Sequence, residues 1–209
     1  MNSDKTRINF VKDLGPLLIK TKAIQFGDFT LSSGKNSPYY IDLRVIPSFP
    51  DVFNKVVSLY VHTLENLIGS NKNWVICGVP TSGLTFASVV AFNLKMPLIY
   101  VREKIKTYGT GKKIEGVFKS GYNIVVLDDL ITSGGSIINT IDTLRHEGGK
   151  VDNVVVLIDR LQGGKKRLAE KGVKLNSLMD INELADSIFA LNIIDLKQYE
   201  NLKINIEKT

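Results

Sequence analysis

Apolar residues recur at helical spacing over residues 7–20, where Ile8, Val11, Leu14, Leu17 and Leu18 share one face. The pattern then changes. Over Ala23–Ile46, short alternating apolar segments are broken by Gly and Pro, which predicts short strands in a small N-terminal unit. Asp51–Ile68 returns to the helical period with Phe53, Val56, Val57, Tyr60, Val61, Leu64 and Leu67, and Asp51 after Pro50 marks its start. Beyond it, short apolar runs alternate with helical segments. Strands are expected at Trp74–Gly78, Pro97–Val101, Ile124–Leu127, Val151–Ile158 and Val173–Leu178. Helices are expected at Leu84–Leu94, from Ile137 through Leu144, at Gly163–Lys171, and over most of the stretch from Ile181. Unbroken β-branched runs suit strands buried on both faces, so the expected fold is α/β, a parallel sheet flanked by helices. The expected organisation is one domain, with N-terminal elements over about 1–46 and a core over about 47–209.

Composition narrows the class without naming it. The chain has 209 residues, 44% of them apolar and 23% charged, which is ordinary for a globular protein with a substantial core. No apolar run approaches the length of a membrane span, so no membrane partner is expected. The opening MNSDKTRINF has no apolar core and does not read as a signal peptide. A single cysteine, Cys77, excludes an internal disulfide and fits a reducing compartment such as the cytoplasm. It follows Val75 and Ile76 in an expected strand, so a buried inert thiol is the reading. The net charge of +6 permits nucleic-acid binding, but the basic residues are scattered, apart from Lys165-Lys166-Arg167 and the stretch from Arg102 to Lys113. Nucleic acid is not expected as the partner.

The stretch Ile124–Ser136, IVVLDDLITSGGS, concentrates chemistry. A buried strand is followed by Asp128 and Asp129, placed where such a strand should end. Leu130 and Ile131 lead to Thr132, Ser133, Gly134, Gly135 and Ser136, and then to a helix. A Gly/Ser/Thr turn at a helix N-terminus cradles a phosphate, because its amides are unpaired and the helix dipole favours an anion. Carboxylates accept hydrogen bonds from hydroxyl groups, so two acids before the cradle suggest a sugar that carries a phosphate. The plainer alternative is a strand–turn–helix joint with Asp as a turn residue.

Three other segments carry candidate chemistry. Gly78 to Gly83 (GVPTSG) is a second strand–turn–helix joint, either a βα turn or a backbone contact for further phosphate groups. Arg102 to Lys113 (REKIKTYGTGKK) is rich in Gly and Thr, and in it Arg102, Lys104, Lys106, Lys112 and Lys113 are basic and Glu103 is the only acid. It reads as a solvated loop or as a cationic lid that would exclude water from a highly charged ligand. Arg160, in DRLQGG after Val151–Ile158, should face the ligand crevice, where its guanidinium fits a carboxylate bidentately; the alternative is an ion pair with Asp159 or another acid. His62 and His146 have no partner at catalytic or metal-ligand spacing and read as structural.

The Ile124–Ser136 segment resembles the phosphoribosyl-pyrophosphate (PRPP) motif of type I phosphoribosyltransferases. With FTLSSGKNSPYYIDLR (Phe29–Arg44), REKIKTYGTGKKIEG and LIDRLQGG (Leu157–Gly164) in order, most of the chain resembles the orotate phosphoribosyltransferase family. The pattern is closer to the form joined to a decarboxylase in eukaryotic UMP synthase than to the enterobacterial form, and no decarboxylase domain is expected here. The resemblance implies the type I fold with an N-terminal hood over about 1–46. It implies transfer of the ribose 5-phosphate of PRPP to N1 of orotate, giving orotidine 5′-phosphate and pyrophosphate for pyrimidine synthesis. Asp128 and Asp129 would hold the ribose, with Asp129 catalytic, and Leu130 to Ser136 would complete the PRPP site around the 5-phosphate. Arg102, Lys106 and Tyr108 would reach the pyrophosphate from the lid, with Lys106 the main catalytic cation. Thr132 and Arg160 would hold orotate, with Tyr39 and Tyr40 beside its ring. Magnesium would arrive on PRPP without a direct protein ligand, and the lid would be shared across a homodimer. Three positions depart from common family residues: Ser32 and Glu103 stand where many relatives carry Lys, and Ser82 near where some bacterial members do. The alternative is a PRPP-binding regulator of the same fold without turnover; a transferase for another base is a further one, against which the hood and Arg160 speak.

Overall fold

The computed structural model describes residues 3–30, 34, 36–69, 73–102 and 113–207. A helix α1 (Ser3–Lys20) leads into an antiparallel hairpin of β1 (Ile24–Thr30) and β2 (Asn36–Ile41), followed by a 3-10 turn at Leu43–Ser48. Then follow α2 (Pro50–Ile68), β3 (Trp74–Gly78), α3 (Ser82–Leu94), β4 (Leu98–Val101), β5 (Ile114–Glu115), β6 (Asn123–Ile131) and α4 (Gly135–His146). The chain continues through β7 (Lys150–Asp159), α5 (Gly164–Glu170), β8 (Lys174–Asp180), α6 (Ile181–Ala190) and α7 (Leu196–Glu207). Pro50 opens α2 at a position that needs no amide hydrogen. Asp180 and Glu183 open α6 by reciprocal side-chain-to-amide bonds, both 2.9 Å.

The main sheet has the order β5-β4-β3-β6-β7-β8, and all its pairings are parallel except β4 with β5. The middles of its central strands, Val75–Cys77, Ile124–Leu127 and Val154–Ile158, are continuously apolar because both faces are covered. Successive residues alternate between two cores. Ile76, Val125, Leu127, Val155 and Leu157 pack with α1, α2, α3, α6 and the hairpin. Val75, Cys77, Ile124, Val126, Val154 and Val156 pack with α4 and α5. Burial of this kind stabilises by about 25 cal/mol per Å² of apolar surface, and a one-residue slip would exchange the two cores.

The topology fixes where a ligand sits. From β3 the chain passes through α3 to β4 on one side; from β6 it passes through α4 to β7 on the other. β3 and β6 are neighbours, with Gly78 opposite Leu127, so their carboxyl ends diverge onto helices on opposite faces. That divergence opens a crevice, the usual ligand position in open α/β sheets.

One expectation needs correcting, and one strand lies outside the expected set. β6 does not end at Leu127: Asp128 pairs with Val156, Leu130 with Ile158 and Ile131 with Asp159, so both acids lie inside the strand. Pairing with the long β7 outweighs the poor strand propensity of Asp. The edge strand β5 carries no sequence signal, being two residues long; it is held by pairing with Tyr100 and Val101.

Candidate active site

The crevice is a cavity of about 340 Å³ with walls from four segments: residues 41–44, 79–82, 128–132 and 134–137. The first leaves the hairpin, the second joins β3 to α3, and the last two are the end of β6 and the start of α4. Asp128, Asp129, Leu130, Ile131, Thr132, Gly134, Gly135 and Ser136 therefore lie together, as expected, and Ser133 stands next to them in sequence.

Two helices begin at this cavity without a side-chain cap. Gly134 takes the N-cap position of α4 at φ 77°, a left-handed conformation that glycine adopts without strain, and it has no side chain to offer the first-turn amides. Thr81 at the start of α3 makes no capping bond either, and the Ser82 hydroxyl is buried with no hydrogen-bond partner among the described residues. Unpaired donors at a helix N-terminus attract an anion. The carbonyl of Thr132 accepts from the Gly164 amide at 3.0 Å and that of Ser133 from Arg167 Nη1 at 2.7 Å, so α5 holds the loop from outside. Arg167 belongs to the basic triplet that the sequence showed only as a charge cluster.

The two acids differ. Asp128 is 8% exposed, and its carboxyl accepts from the Asp129 amide at 2.9 Å and from the Gly83 backbone. Burial, with the Asp129 carboxylate beside it, pushes the Asp128 carboxyl well above the ordinary Asp value. Gly83 must be glycine for contact reasons: a Cβ there would lie 2.5 Å from Asp128 Oδ1 and 2.7 Å from its Cα. Asp128 thus locks the start of α3 to β6, while half-buried Asp129 keeps its carboxylate at the cavity wall, one oxygen accepting from the Leu130 amide at 2.8 Å. Behind them, buried Tyr60 of α2 donates to the Asp128 carbonyl at 2.7 Å, a support the sequence showed only as a core aromatic.

Arg160 sits at the end of β7, its amide bonded to the Ile131 carbonyl at 3.0 Å. It is 7% exposed, its guanidinium lies 5.0 Å from the Tyr39 ring centre, and Nε and Nη2 have no hydrogen-bond partner among the described residues. The expected alternative, a pair with Asp159, is not what the bonds show: Asp159 accepts from the Leu161 amide at 2.8 Å. A buried cation with empty donors is costly, and a carboxylate ligand would satisfy it.

Arg160 is buried behind the cavity and does not line it, and other expected residues are not gathered there either. Tyr39 is buried against Arg160, but Tyr40 points to the other face of β2, stacks on Phe29 at 5.6 Å and meets Arg44. Period-two alternation separates neighbours in a strand. Arg102 pairs with Glu115 of β5 and does not line the cavity. Lys106 and Tyr108 lie outside the described residues, as do Ser32 and Glu103. Cys77 is buried, which pushes its thiol up to about 12. His62 meets Asn66 at 3.2 Å on the surface of α2, away from the cavity.

Known proteins share the sequence and the fold of this chain. The phosphoribosyl transferase domain family matches residues 50–186. The orotate phosphoribosyltransferase of Cenarchaeum symbiosum is 36% identical over 187 residues, covering 90% of this chain and 94% of that one. The crystal structure of the Aeropyrum pernix orotate phosphoribosyltransferase superposes with a TM-score of 0.72 at 33% identity, covering 86% of this chain and 99% of the other. The structure of Leishmania donovani UMP synthase gives 0.83 at 30% identity, covering 95% of this chain and 42% of that longer one. The protein described here therefore belongs to the phosphoribosyltransferase family, within its orotate phosphoribosyltransferase branch.

Proposed function

We propose that this chain is the pentosyltransferase that joins the ribose 5-phosphate of PRPP to N1 of orotate, releasing pyrophosphate in pyrimidine biosynthesis. The observation that carries this reading is an acid pair between two uncapped helix starts, beside a buried guanidinium with empty donors. PRPP has the matching shape: a hydroxylated ring with a phosphate at one end and a pyrophosphate at the other. The α4 start and Thr132–Ser136 take the 5-phosphate, the α3 start takes the pyrophosphate, and Asp129 accepts hydrogen bonds from the ribose hydroxyls. Arg160 takes the orotate carboxylate, with Thr132 from the neighbouring loop and Tyr39 beneath the guanidinium.

In the reaction the N1–C1 bond forms as the C1–O bond to pyrophosphate breaks. Pyrophosphate leaves with the bonding electron pair, and the N1 proton goes to solvent. Positive charge gathers on the ribose ring, where Asp129 stabilises it, and negative charge gathers on pyrophosphate, where Lys106, Arg102 and Tyr108 of the lid would meet it. Magnesium fits this arrangement as a passenger on the PRPP oxygens. The half-buried Asp129 carboxylate can meet its water shell, and Mg²⁺ commonly keeps waters and substrate phosphates as ligands. The proposed assembly is a homodimer that shares the lid, and a second copy would have exposed apolar side chains to cover, among them Phe92 and Val117, each 84% exposed. The cytoplasm is the proposed compartment, in keeping with a single, unpaired cysteine.

The test is loss of orotate absorbance with PRPP and magnesium, with uracil, hypoxanthine and adenine in parallel. Consumption of orotate alone among the four supports the reading. Consumption of another base instead assigns a different acceptor. PRPP binding by calorimetry with no turnover on any base moves the assignment to a PRPP-binding regulator.

A further inference from the structure

We propose that Arg44 binds the pyrophosphate group of PRPP, held ready for it by Asp42 and Tyr40; this rests on the reading that PRPP occupies the cleft. Residues 41–44 form the cavity wall where the chain leaves the hairpin, and the 3-10 turn that follows packs against α3. Arg44 therefore stands on the α3 side, the side assigned to pyrophosphate. Among the described residues that line the cavity it is the only cation, facing the acids Asp42, Asp128 and Asp129.

Its geometry is that of a prepared donor. Nε meets Asp42 Oδ1 at 2.7 Å, and Nη2 meets Asp42 Oδ2 at 2.9 Å and the Tyr40 hydroxyl at 3.1 Å. Tyr40 is itself fixed by stacking on Phe29. The fork is held on one edge, and Nη1 has no hydrogen bond among the described residues. The competing explanation is a surface ion pair. Arg44 has a side chain 62% exposed, and such pairs contribute little to stability. A pair that adds little stability, yet has three hydrogen bonds fixing its orientation at the mouth of a phosphate cleft, is better explained by what the free edge binds.

The experiment compares Arg44→Gln and Arg44→Lys in the full chain. It measures KM for PRPP and for orotate, inhibition by pyrophosphate, and Tm. The expected result for Arg44→Gln is a rise of about 10-fold in the PRPP KM and in the pyrophosphate inhibition constant, the loss of one charge-assisted bond. Orotate KM and Tm stay near wild type, and Arg44→Lys falls between. Removing Arg44 also leaves Asp42 uncompensated in the cleft, so the double variant Asp42→Asn/Arg44→Gln is needed. A PRPP KM still raised in the double variant supports direct contact. A PRPP KM restored to wild type there, or unchanged in Arg44→Gln, overturns it. If the wild-type chain turns over no base, the reading of the reaction fails separately. Calorimetric binding of PRPP and of pyrophosphate to wild type and to the double variant then decides the role of Arg44: weaker binding to the variant supports it, and equal or absent binding overturns it.

Discussion

Replacing Arg160 with Met separates a ligand-binding cation from a structural one. Met retains an unbranched apolar stem of similar reach, so packing around the side chain is largely kept. What disappears is a guanidinium with two buried nitrogens, Nε and Nη2, that have no partner among the described residues. Each unsatisfied buried donor costs about 1 kcal/mol or more, so removing both returns about 2 kcal/mol. The lost stacking on Tyr39 costs up to about 2 kcal/mol in a desolvated setting. The two nearly cancel, and Tm should move by less than about 4 °C for a chain of this size. A structural buried ion pair behaves otherwise: removing one partner costs about 3–5 kcal/mol, or about 10 °C. Function should change far more than stability. A bidentate bond between Arg160 and the orotate carboxylate is worth about 3 kcal/mol, so kcat/KM for orotate should fall about 100-fold. PRPP affinity should stay within about 2-fold, since the PRPP cavity does not include Arg160. The assays are thermal unfolding and steady-state kinetics with each substrate varied. A variant that loses 10 °C or more while orotate kcat/KM holds would refute the reasoning, because the guanidinium would then have a structural partner and no ligand.

Other perturbations test other parts of the site. Burial and the neighbouring Asp129 raise the Asp128 carboxyl from its ordinary 3.8, so as pH rises past that value the unfolded chain releases this proton before the folded chain does. The stability it contributes is full below the ordinary value and is lost as pH rises through the raised one. Asp128→Asn stays neutral throughout, so its Tm advantage over wild type should be absent in acid and grow toward neutral pH; a wild-type advantage at neutral pH contradicts this. Tyr60→Phe removes the bond to the Asp128 carbonyl, and denaturant unfolding should show a loss of about 1 kcal/mol. The Cys77 thiol, pushed up to about 12, should react with a thiol reagent at pH 8 only as fast as the chain unfolds; rapid labelling of the native protein would show an open site. Lys106→Ala should lower turnover about 100-fold or more with Tm unchanged, and near-normal turnover would remove Lys106 from catalysis.

Much of this architecture was legible because the two periods are clean. Phe53 through Leu67 repeat at helical spacing, and the runs at Val75, Val125 and Val154 are β-branched and continuous, so α2 and the three central strands were placed to within a few residues. The phosphate loop was legible for a chemical reason: small hydroxyl residues between strand and helix signal unpaired amides. What was not legible came from tertiary contact. Asp128 and Asp129 look like the end of a strand, and only pairing with β7 shows that they lie inside it. The different environments of the two acids come from Gly83 of another segment pressing against Asp128. Tyr39 and Tyr40 could have been separated from the sequence, since a strand sends neighbours to opposite faces. Arg44 gave no local signal, because its importance lies in what stands across the cleft, about 35 or more residues along the chain.

The central claim is that one cleft holds PRPP and orotate together and joins them. Phosphorus NMR of the full chain with PRPP, orotate and magnesium tests it directly. The account predicts that the PRPP resonances are replaced by those of orotidine 5′-phosphate and pyrophosphate in equal amounts, and only when orotate is present. PRPP left intact beside orotate, or lost at the same rate without it, would contradict the account.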